Sequence, residues 1–249
     1  MERLGSDIRL KAMTANNDFT ERYSRQTMLP GFGEEGQQKL LASSVLIIGA
    51  GGLGAPVATY LTGAGVGHIG IADPDTVSLS NLQRQTLYSE QDVGKPKTEC
   101  AIKRLEAMSS VPSFTAHPQG ITPQNAQEII RRYDLVIDCT DNFPTRYLID
   151  DSCAKCGKPW VHGAIGEFHG QVSVFNHRQH RRYTDLYPDR DTLCNLPRRT
   201  TGVIGAVPGV IGSILASEAI KIITGIGESL EGHLFTIDLL TMQTVILDF

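Results

Sequence analysis

Short apolar runs alternate along this chain with segments in which apolar residues recur every three or four positions. Uninterrupted runs of four or five apolar residues predict buried strands, and the longer spacing predicts amphipathic helices. The first strands are predicted at 45–48 and 68–72, with a helix at 55–62 between them. The same criteria predict helices at 33–41, 95–108, 122–132, 144–157 and 207–224, and strands at 114–117, 135–139, 160–164, 171–175, 234–238 and 244–247.

A glycine-rich turn joins the first strand to the first of these helices. It has the sequence Gly49-Ala50-Gly51-Gly52-Leu53-Gly54, and the second strand ends in Asp73-Pro74-Asp75. Glycines allow close approach of the backbone to a phosphate, and the following helix N-terminus offers free N–H groups. A carboxylate at the tip of the second strand can hold ribose hydroxyls. The pattern predicts an α/β fold with a Rossmann-like nucleotide-binding domain: a mostly parallel sheet, extended by antiparallel strands, with helices on both faces.

The glycine pattern alone would suit a dinucleotide, and hence an NAD(P)-dependent oxidoreductase. The segment that follows is richer in polar and cationic groups than a dinucleotide requires. It contains Ser80-Asn81-Leu82-Gln83-Arg84-Gln85 and then Gly94-Lys95-Pro96-Lys97. Arg84 and Lys97 follow the acidic tip. This spacing indicates two cations that bind a polyphosphate across the strand ends, rather than two ordinary solvated surface charges.

Composition sets the limits of these interpretations. A chain of 249 residues with 41% hydrophobic content fits one α/β domain, and we expect a flexible leader at 1–20 before a single domain at 21–249. A net charge of −4 gives no basic surface for nucleic acid. The longest apolar stretch, 202–216, contains Pro208 and four glycines, so we expect a turn and a buried helix, no membrane span, and a cytoplasmic protein.

Taken together, the motifs resemble the ThiF/MoeB/HesA family, bacterial relatives of the ubiquitin-activating enzymes. The matching segments are 22–26, the glycine turn, Asp73-x-Asp75, Ser80-Asn81-Leu82-x-Arg84-Gln85, Lys97 and Cys139-Thr140-Asp141-Asn142. The resemblance implies ATP-dependent adenylation, with Mg²⁺, of the C-terminal glycine of a small ubiquitin-like sulfur carrier protein. The reaction would release pyrophosphate, and it would be a step toward a thiocarboxylate for thiamin or molybdopterin biosynthesis. A tRNA-modifying dehydratase of the same family and a non-catalytic scaffold are the alternatives.

The resemblance also assigns roles to single residues. Asp141 would be a catalytic aspartate and a Mg²⁺ ligand, although either Asp141 or Asn142 could simply cap the next helix. Arg84 and Lys97 would offset charge at the α-phosphate, and Arg25 would reach ATP in the partner of a homodimer. The predicted nucleotide-binding residues are Gly49, Gly51, Gly52, Gly54, Asp73, Asp75, Ser80, Asn81, Arg84, Gln85, Lys97, Asp141 and Asn142.

The five cysteines give no disulfide framework, because their number is odd. Cys194 lies in a segment without periodicity, 176–200, where the family's cysteine can bond to the carrier. Arg190, Arg198 and Arg199 could lower its pKa, and an ordinary loop thiol is the alternative. We interpret Cys153 and Cys156 as packing and incidental thiols.

Family members often hold zinc with one CxxC pair before the Leu186-Tyr187-Pro188 motif and a second near the C-terminus. This chain has Arg182 and Asp185 at the first pair's positions and no cysteine after Cys194, so we expect structural zinc to be absent. We expect the histidines at 162, 169, 177 and 180 to be hydrogen-bonded polar residues without acidic partners that would suit a metal. A sulfurtransferase or a cysteine desulfurase is a possible further partner.

Overall fold

One eight-stranded sheet organises the computed structural model, which describes residues 17–197 and 202–249. The strand order is β3-β2-β1-β4-β5-β6-β7-β8; the first five strands in this order are parallel and β6 to β8 are antiparallel. The strands are β1 (Ser44–Ile48), β2 (His68–Ala72), β3 (Ser113–His117), β4 (Leu135–Asp138), β5 (Trp160–Gly166), β6 (His169–Phe175), β7 (His233–Asp238) and β8 (Gln243–Asp248). The predicted fold class is confirmed.

Helices cover both faces of the sheet. They are α1 (Asn17–Thr27), α2 (Gly33–Ala42), α3 (Gly54–Ala64), α4 (Lys97–Met108), α5 (Ala126–Ile130), α6 (Phe143–Cys156), α7 (Tyr183–Leu186), α8 (Arg190–Cys194) and α9 (Ala206–Thr224). One apolar core lies between the sheet and α3, α4 and α9. A second, on the opposite face, contains Trp160 and residues of α5 and α6. Alternate residues of β1 therefore enter different cores: Val45 and Ile47 the first, Leu46 and Ile48 the second.

Strand register brings the carboxyl ends of three neighbouring strands to one edge of the sheet. Ile48, the last residue of β1, is aligned with Ala72 on β2 and Asp138 on β4. The turns that begin at Gly49, Asp73 and Cys139 therefore start side by side. In open α/β sheets this edge is where ligands bind.

Two local predictions were wrong. The helix expected from Thr122 begins only at Ala126, because Asn125 Oδ1 accepts a bond from the Thr122 N–H and closes a turn before the helix. The segment 176–200, expected to be irregular, contains α7 and α8, which lack apolar periodicity because each is one turn long. The leader predicted at 1–20 ends in α1, which begins at Asn17, and its residues 1–16 lie outside the described part.

Helix α9 begins within the apolar stretch around Pro208, where a turn and a buried helix are expected. By length and composition alone it could cross a membrane, a test that a buried core helix also passes. Pro208 lies in the first turn of the helix, where its missing N–H removes no helical bond, so it does not break the helix. Here α9 is a core helix, with Ile211 and Leu215 fully buried.

Candidate active site

The glycine turn after β1 has room for nothing larger than glycine at two of its positions. Gly49 has φ +96°, and a Cβ there would lie 2.6 Å from the carbonyl oxygen of Cys139. A Cβ at Gly54 would lie 2.0 Å from the Gly49 oxygen. The turn is therefore packed against the end of β4 and leads directly into the N-terminus of α3.

Asp73 fixes the glycine turn to the tip of β2. Its carboxylate accepts the Ala50 N–H at 2.7 Å and the Asp75 N–H at 2.8 Å. Tyr88 donates its hydroxyl to the Ala50 carbonyl at 2.7 Å, so both polar backbone atoms of Ala50 are held. Burial raises the pKa of Asp73, and Lys97 opposes that shift.

Lys97 is a buried cation at this edge. Its side chain is 6% exposed, and its Nζ lies 2.8 Å from Asp75 Oδ2 and 3.9 Å from Asp73 Oδ1. Because Asp75 is exposed, its carboxylate can give up the ammonium group to an incoming phosphate at little cost. The structure thus brings Lys97 next to the glycine turn, as the motif spacing predicts.

The Ser80–Gln85 segment forms a one-turn 3-10 helix followed by a turn. Asn81 Oδ1 accepts the Ser78 N–H at 3.2 Å, and Arg84 donates to the Ser80 carbonyl at 3.0 Å. Gln85 is buried against the glycine turn: its Nε2 would lie 3.5 Å from a Cβ at Gly51. Its Oε1 is buried without a hydrogen-bond partner in the described part of the chain. A bound ligand with a donor group would satisfy that oxygen.

Asn142, not Asp141, caps α6. Asn142 Oδ1 accepts the Thr145 N–H at 3.0 Å, and its Nδ2 lies 3.3 Å from Asp141 Oδ1. Asp141 is exposed at the sheet edge, and among residues 17–197 and 202–249 its carboxylate accepts a hydrogen bond from Asn142 alone. The carboxylate is therefore available to a phosphate-bound cation, while the Asn142 side chain already has a structural role.

Sequence reasoning missed a buried polar cluster beneath Asp141. Asp138 and His162 are fully buried register partners on β4 and β5, joined by a 2.8 Å bond from Nδ1 to Oδ2. The other Asp138 oxygen accepts the Thr140 N–H at 2.9 Å and the Thr140 hydroxyl at 2.6 Å. The sequence predicts a hydrogen-bonded polar histidine at 162, and Asp138 is its partner. The available signal was an acidic residue ending an otherwise apolar strand.

Arg146 completes this cluster from α6. Its Nη2 donates to the Thr140 carbonyl at 2.9 Å, and its Nε lies 3.7 Å from Asp138 Oδ2. Burial lowers the pKa of His162 despite the opposing effect of Asp138, so the imidazole is neutral at neutral pH. The Asp138 carboxylate is thus compensated by the Arg146 guanidinium.

A groove of about 460 Å³ opens beside this cluster. Phe143 and Arg146 form one end, close to Asp141, and strands β5 to β8 form its floor. Gln171 and Tyr187 line its wall and are joined by a 2.6 Å bond from Nε2 to the phenol oxygen. The groove runs from the Asp141 turn towards the exposed edge strand β8.

Arg25 lies far from the glycine turn of its own chain. It is exposed on α1, whose Gln26 donates to the carbonyl of Ala64 at the last residue of α3. The glycine turn adjoins the first residue of α3, so the 11-residue helix separates the two by roughly 16 Å. The structure does not bring Arg25 together with Lys97 and Asp141 within one protomer.

Cys194 is half-buried at the end of α8, where it packs against the second core. The neighbouring Arg190 lies over the Tyr147 ring at 5.0 Å and bonds Asp151 at 2.7 Å. The Arg190 guanidinium is therefore already paired with a carboxylate. Arg198 and Arg199, the other cations expected to act on Cys194, lie outside the described residues.

Arg182 and Asp185, predicted to stand where the family has its first zinc cysteines, form ion pairs and a helix cap. Arg182 bonds Asp150 at 2.8 Å and Asp151 at 3.0 Å, and Asp185 caps α7 by accepting the Arg182 N–H.

Cys153 is fully buried, which raises its pKa, and Cys156 is half-buried with its thiol 3.6 Å from the Gln127 carbonyl. Within 17–197 and 202–249, no three side chains of His, Cys, Asp or Glu cluster as metal ligands.

Comparison with known proteins assigns this architecture to a family. A model described as the ThiF family matches residues 23–248. The chain is 47% identical over 226 residues to a sulfur carrier protein adenylyltransferase of Thermus thermophilus, covering 88% of this chain and 83% of that protein. It is 42% identical over 237 residues to a probable adenylyltransferase/sulfurtransferase MoeZ of Mycobacterium tuberculosis, covering 93% of this chain and 60% of that one.

Longer relatives show the same similarity over part of their length. An adenylyltransferase and sulfurtransferase MOCS3-2 of Zea mays is 45% identical over 227 residues, which is 91% of this chain and 47% of the relative. The chain thus spans about half the length of that plant protein.

Solved structures share the fold at low sequence identity. Escherichia coli MccB with ATP superposes with a TM-score of 0.81 at 24% identity, covering 94% of this chain and 71% of that one. PaaA superposes with a TM-score of 0.80 at 22% identity, over 94% and 74% of the two chains.

Proposed function

The chain belongs to the ThiF family, and we propose that it adenylates the C-terminal glycine of a small ubiquitin-like sulfur carrier protein. A carrier carboxylate oxygen attacks the α-phosphorus of ATP, the bond between that phosphorus and the bridging oxygen to the β-phosphate breaks, and pyrophosphate leaves. The carrier then holds an acyl-adenylate, whose AMP is a good leaving group for a later sulfur nucleophile. A thiocarboxylate for thiamin or molybdopterin biosynthesis is the product we expect downstream.

The observation that carries the proposal is that a buried cation and an exposed carboxylate lie at one edge of the sheet. Lys97 is held beside the glycine turn, and Asp141 lies at the neighbouring strand end, where Asn142 rather than Asp141 caps α6. Such a site can neutralise phosphate charge as the attack proceeds and can position a magnesium-bound triphosphate. Mg²⁺ commonly binds nucleotides through one or two carboxylates plus phosphate oxygens, and Asp141 would supply such a carboxylate.

The nucleotide would use the groups already fixed around the glycine turn. The N-terminus of α3 and the backbone N–H groups of Gly51 and Gly52 would hold phosphates, with Arg84 above them. Asp73 would bind the ribose hydroxyls and Gln85 the remaining donor group. Ser80 and Asn81 would line the same site, with their backbone fixed by the 3-10 turn.

The groove beside Arg146 fits the extended tail of the carrier. It leads to the Asp141 turn and passes Tyr187, at the edge of the 176–200 segment. Beyond it, Val245, Ile246 and Leu247 of β8 are each at least half exposed, an apolar surface suited to the body of a folded partner. The tail would thread from β8 along Gln171 to the α-phosphate.

A homodimer would bring Arg25 to the nucleotide. The separation of Arg25 from its own glycine turn by α3 supports a role for this arginine at the site of a second copy. We propose that this chain forms a cytoplasmic homodimer with two-fold symmetry. Sulfur would be supplied by a sulfurtransferase or a cysteine desulfurase. Cys194, as a thiolate, would attack the acyl-adenylate carbonyl and form a thioester while the bond to AMP breaks and AMP leaves, or it would remain an ordinary loop thiol.

The test is carrier-dependent exchange of labelled pyrophosphate into ATP, with a ThiS-like or MoaD-like protein as carrier. We expect exchange in the wild type and a loss of at least about 100-fold in Asp141→Ala, since a positioning and charge-stabilising group is removed. Glu106→Ala, which changes an exposed acid on α4, is the matched control and should exchange normally. Exchange that persists in Asp141→Ala would remove this residue from the mechanism.

The relatives favour adenylation over the alternative enzyme classes. The acidic tip at Asp73 would suit an oxidoreductase equally well, but the relatives compared above are named adenylyltransferases. Stabilisation by NADH, without stabilisation by Mg·ATP, would overturn this preference. Carrier and ATP binding without any exchange would favour a scaffold.

A further inference from the structure

The buried cluster of Asp138, His162 and Arg146 holds Thr140, the residue that precedes Asp141. All three polar groups of Thr140 are engaged: the N–H and hydroxyl bond Asp138, and the carbonyl accepts from Arg146. Thr140 is covalently joined to Asp141, whose carboxylate also accepts a hydrogen bond from Asn142 at 3.3 Å. Asp138 and Arg146 therefore fix the backbone from which the Asp141 side chain projects.

His162 determines where Asp138 can place its carboxylate. Nδ1 lies 2.8 Å from Oδ2, and because a carboxylate only accepts, this nitrogen carries the proton. The other ring nitrogen is then an acceptor, and the Gln171 Nε2 lies 3.4 Å from it. Gln171 also donates to the Tyr187 hydroxyl in the groove wall. A continuous set of hydrogen bonds thus runs from the groove to the Asp141 turn.

We propose that His162 is a positioning residue for adenylation, which aligns the Asp141 turn through Asp138 and Thr140 and links it to the groove wall through Gln171. The inference rests on the proposed function. A tail in the groove would contact Gln171 and Tyr187, and their hydrogen bonds would transmit its presence to the imidazole. His162 itself touches neither substrate, because it is fully buried between the strands.

The effect of His162 should be confined to the rate of the chemical step. The glycine turn and Lys97 are held by Asp73, Asp75 and Tyr88, none of which bonds His162. Nucleotide binding should therefore not depend on the imidazole. A misplaced Asp141 would instead lower the turnover number, since displacements near 1 Å can cost about 100-fold in rate.

The experiment compares His162→Leu, His162→Asn and the wild type in carrier-dependent pyrophosphate exchange. The Asn side-chain amide nitrogen can occupy the place of Nδ1 and donate to Asp138, whereas Leu cannot. We expect His162→Leu to lose at least about tenfold in kcat with the KM for ATP unchanged, and His162→Asn to recover most of kcat. His177→Leu is the control, since it replaces a half-buried histidine at the opposite edge of the sheet.

Each alternative outcome is decisive. Full kcat in His162→Leu, an equal loss in His162→Asn, or a loss carried by the KM for ATP would overturn the positioning role. Equal losses in His162→Leu and His177→Leu would show a general effect of destabilisation and would also overturn it. Absence of exchange in the wild type with every carrier tried would instead count against the proposed function. Urea unfolding of each variant tells misfolding apart from misalignment.

Discussion

At the scale of single residues, burial decides which charged groups can act. Lys97 and Asp138 are both buried, but they are compensated differently. Lys97 has an exposed partner, Asp75, that a phosphate can replace, whereas Asp138 is enclosed by His162 and Arg146. The first arrangement is suited to binding and the second to holding a backbone turn in place. Two buried charged side chains thus serve different purposes according to their surroundings.

Lowering the pH should reduce the unfolding free energy of the protein because the imidazole of His162 is buried. Its folded pKa lies below the ordinary value of 6.5, and Asp138 and Arg146 are the charged groups that face it. Below pH 6.5 the unfolded chain takes up a proton that the folded chain refuses, so stability is lost as pH falls towards the folded pKa. We expect His162→Asn to show a shallower loss of unfolding free energy in urea between about pH 7.5 and 5.5.

His117 and His177, whose pKa values burial also lowers, titrate in both proteins and provide the common background. If the unfolding free energy of His162→Asn falls with pH as steeply as that of the wild type, the imidazole is not excluded from protonation in the folded state.

At the scale of elements, the segment between β6 and α9 depends on one buried carboxylate. Glu231, 3% exposed, accepts the N–H groups of His177, Arg178 and Gln179 at 2.9, 2.7 and 2.8 Å. These bonds fix the turn that starts the segment carrying α7 and α8. The ion pairs of Arg182 and Arg190 with Asp150 and Asp151 then hold both short helices against α6.

Removing the Glu231 carboxylate should loosen this turn. Glu231→Ala leaves three N–H groups without their acceptor, so we expect a loss of roughly 3 kcal/mol in unfolding free energy by urea denaturation. Glu228→Ala, an exposed position three residues earlier, should change stability by less than about 0.5 kcal/mol. Equal stability of the two variants would show that backbone geometry alone maintains the turn.

At the scale of the whole molecule, Arg25 and the glycine turn lie at opposite ends of α3. The role proposed for Arg25 at the nucleotide therefore depends on the homodimer that we propose. The tail groove and the apolar surface of β8 lie on the antiparallel side of the sheet, away from α1. One assembly could therefore hold a second copy and a carrier at the same time.

Mixing two inactive variants tests this arrangement. With Arg25→Ala and Asp141→Ala in equal amounts, half of the dimers are mixed and each has one intact site, so activity should recover to about a quarter of wild type. The control is Lys97→Ala mixed with Asp141→Ala, since both residues belong to the same subunit's site and no intact site can form. No recovery in the first mixture, with mixed dimers shown by affinity tags, would exclude an arginine acting across the interface.

The sequence by itself determined the strands, the glycine turn and the acidic and cationic residues that follow the strand ends. These follow from local periodicity and from the conformations open only to glycine, which are written in neighbouring residues. Only the tertiary structure decided that Asn142 rather than Asp141 caps α6, that His162 faces Asp138, and that Arg25 is remote from its own site. Those relations depend on strand register and on distances through space, which residues far apart in the chain do not reveal until the sheet is assembled.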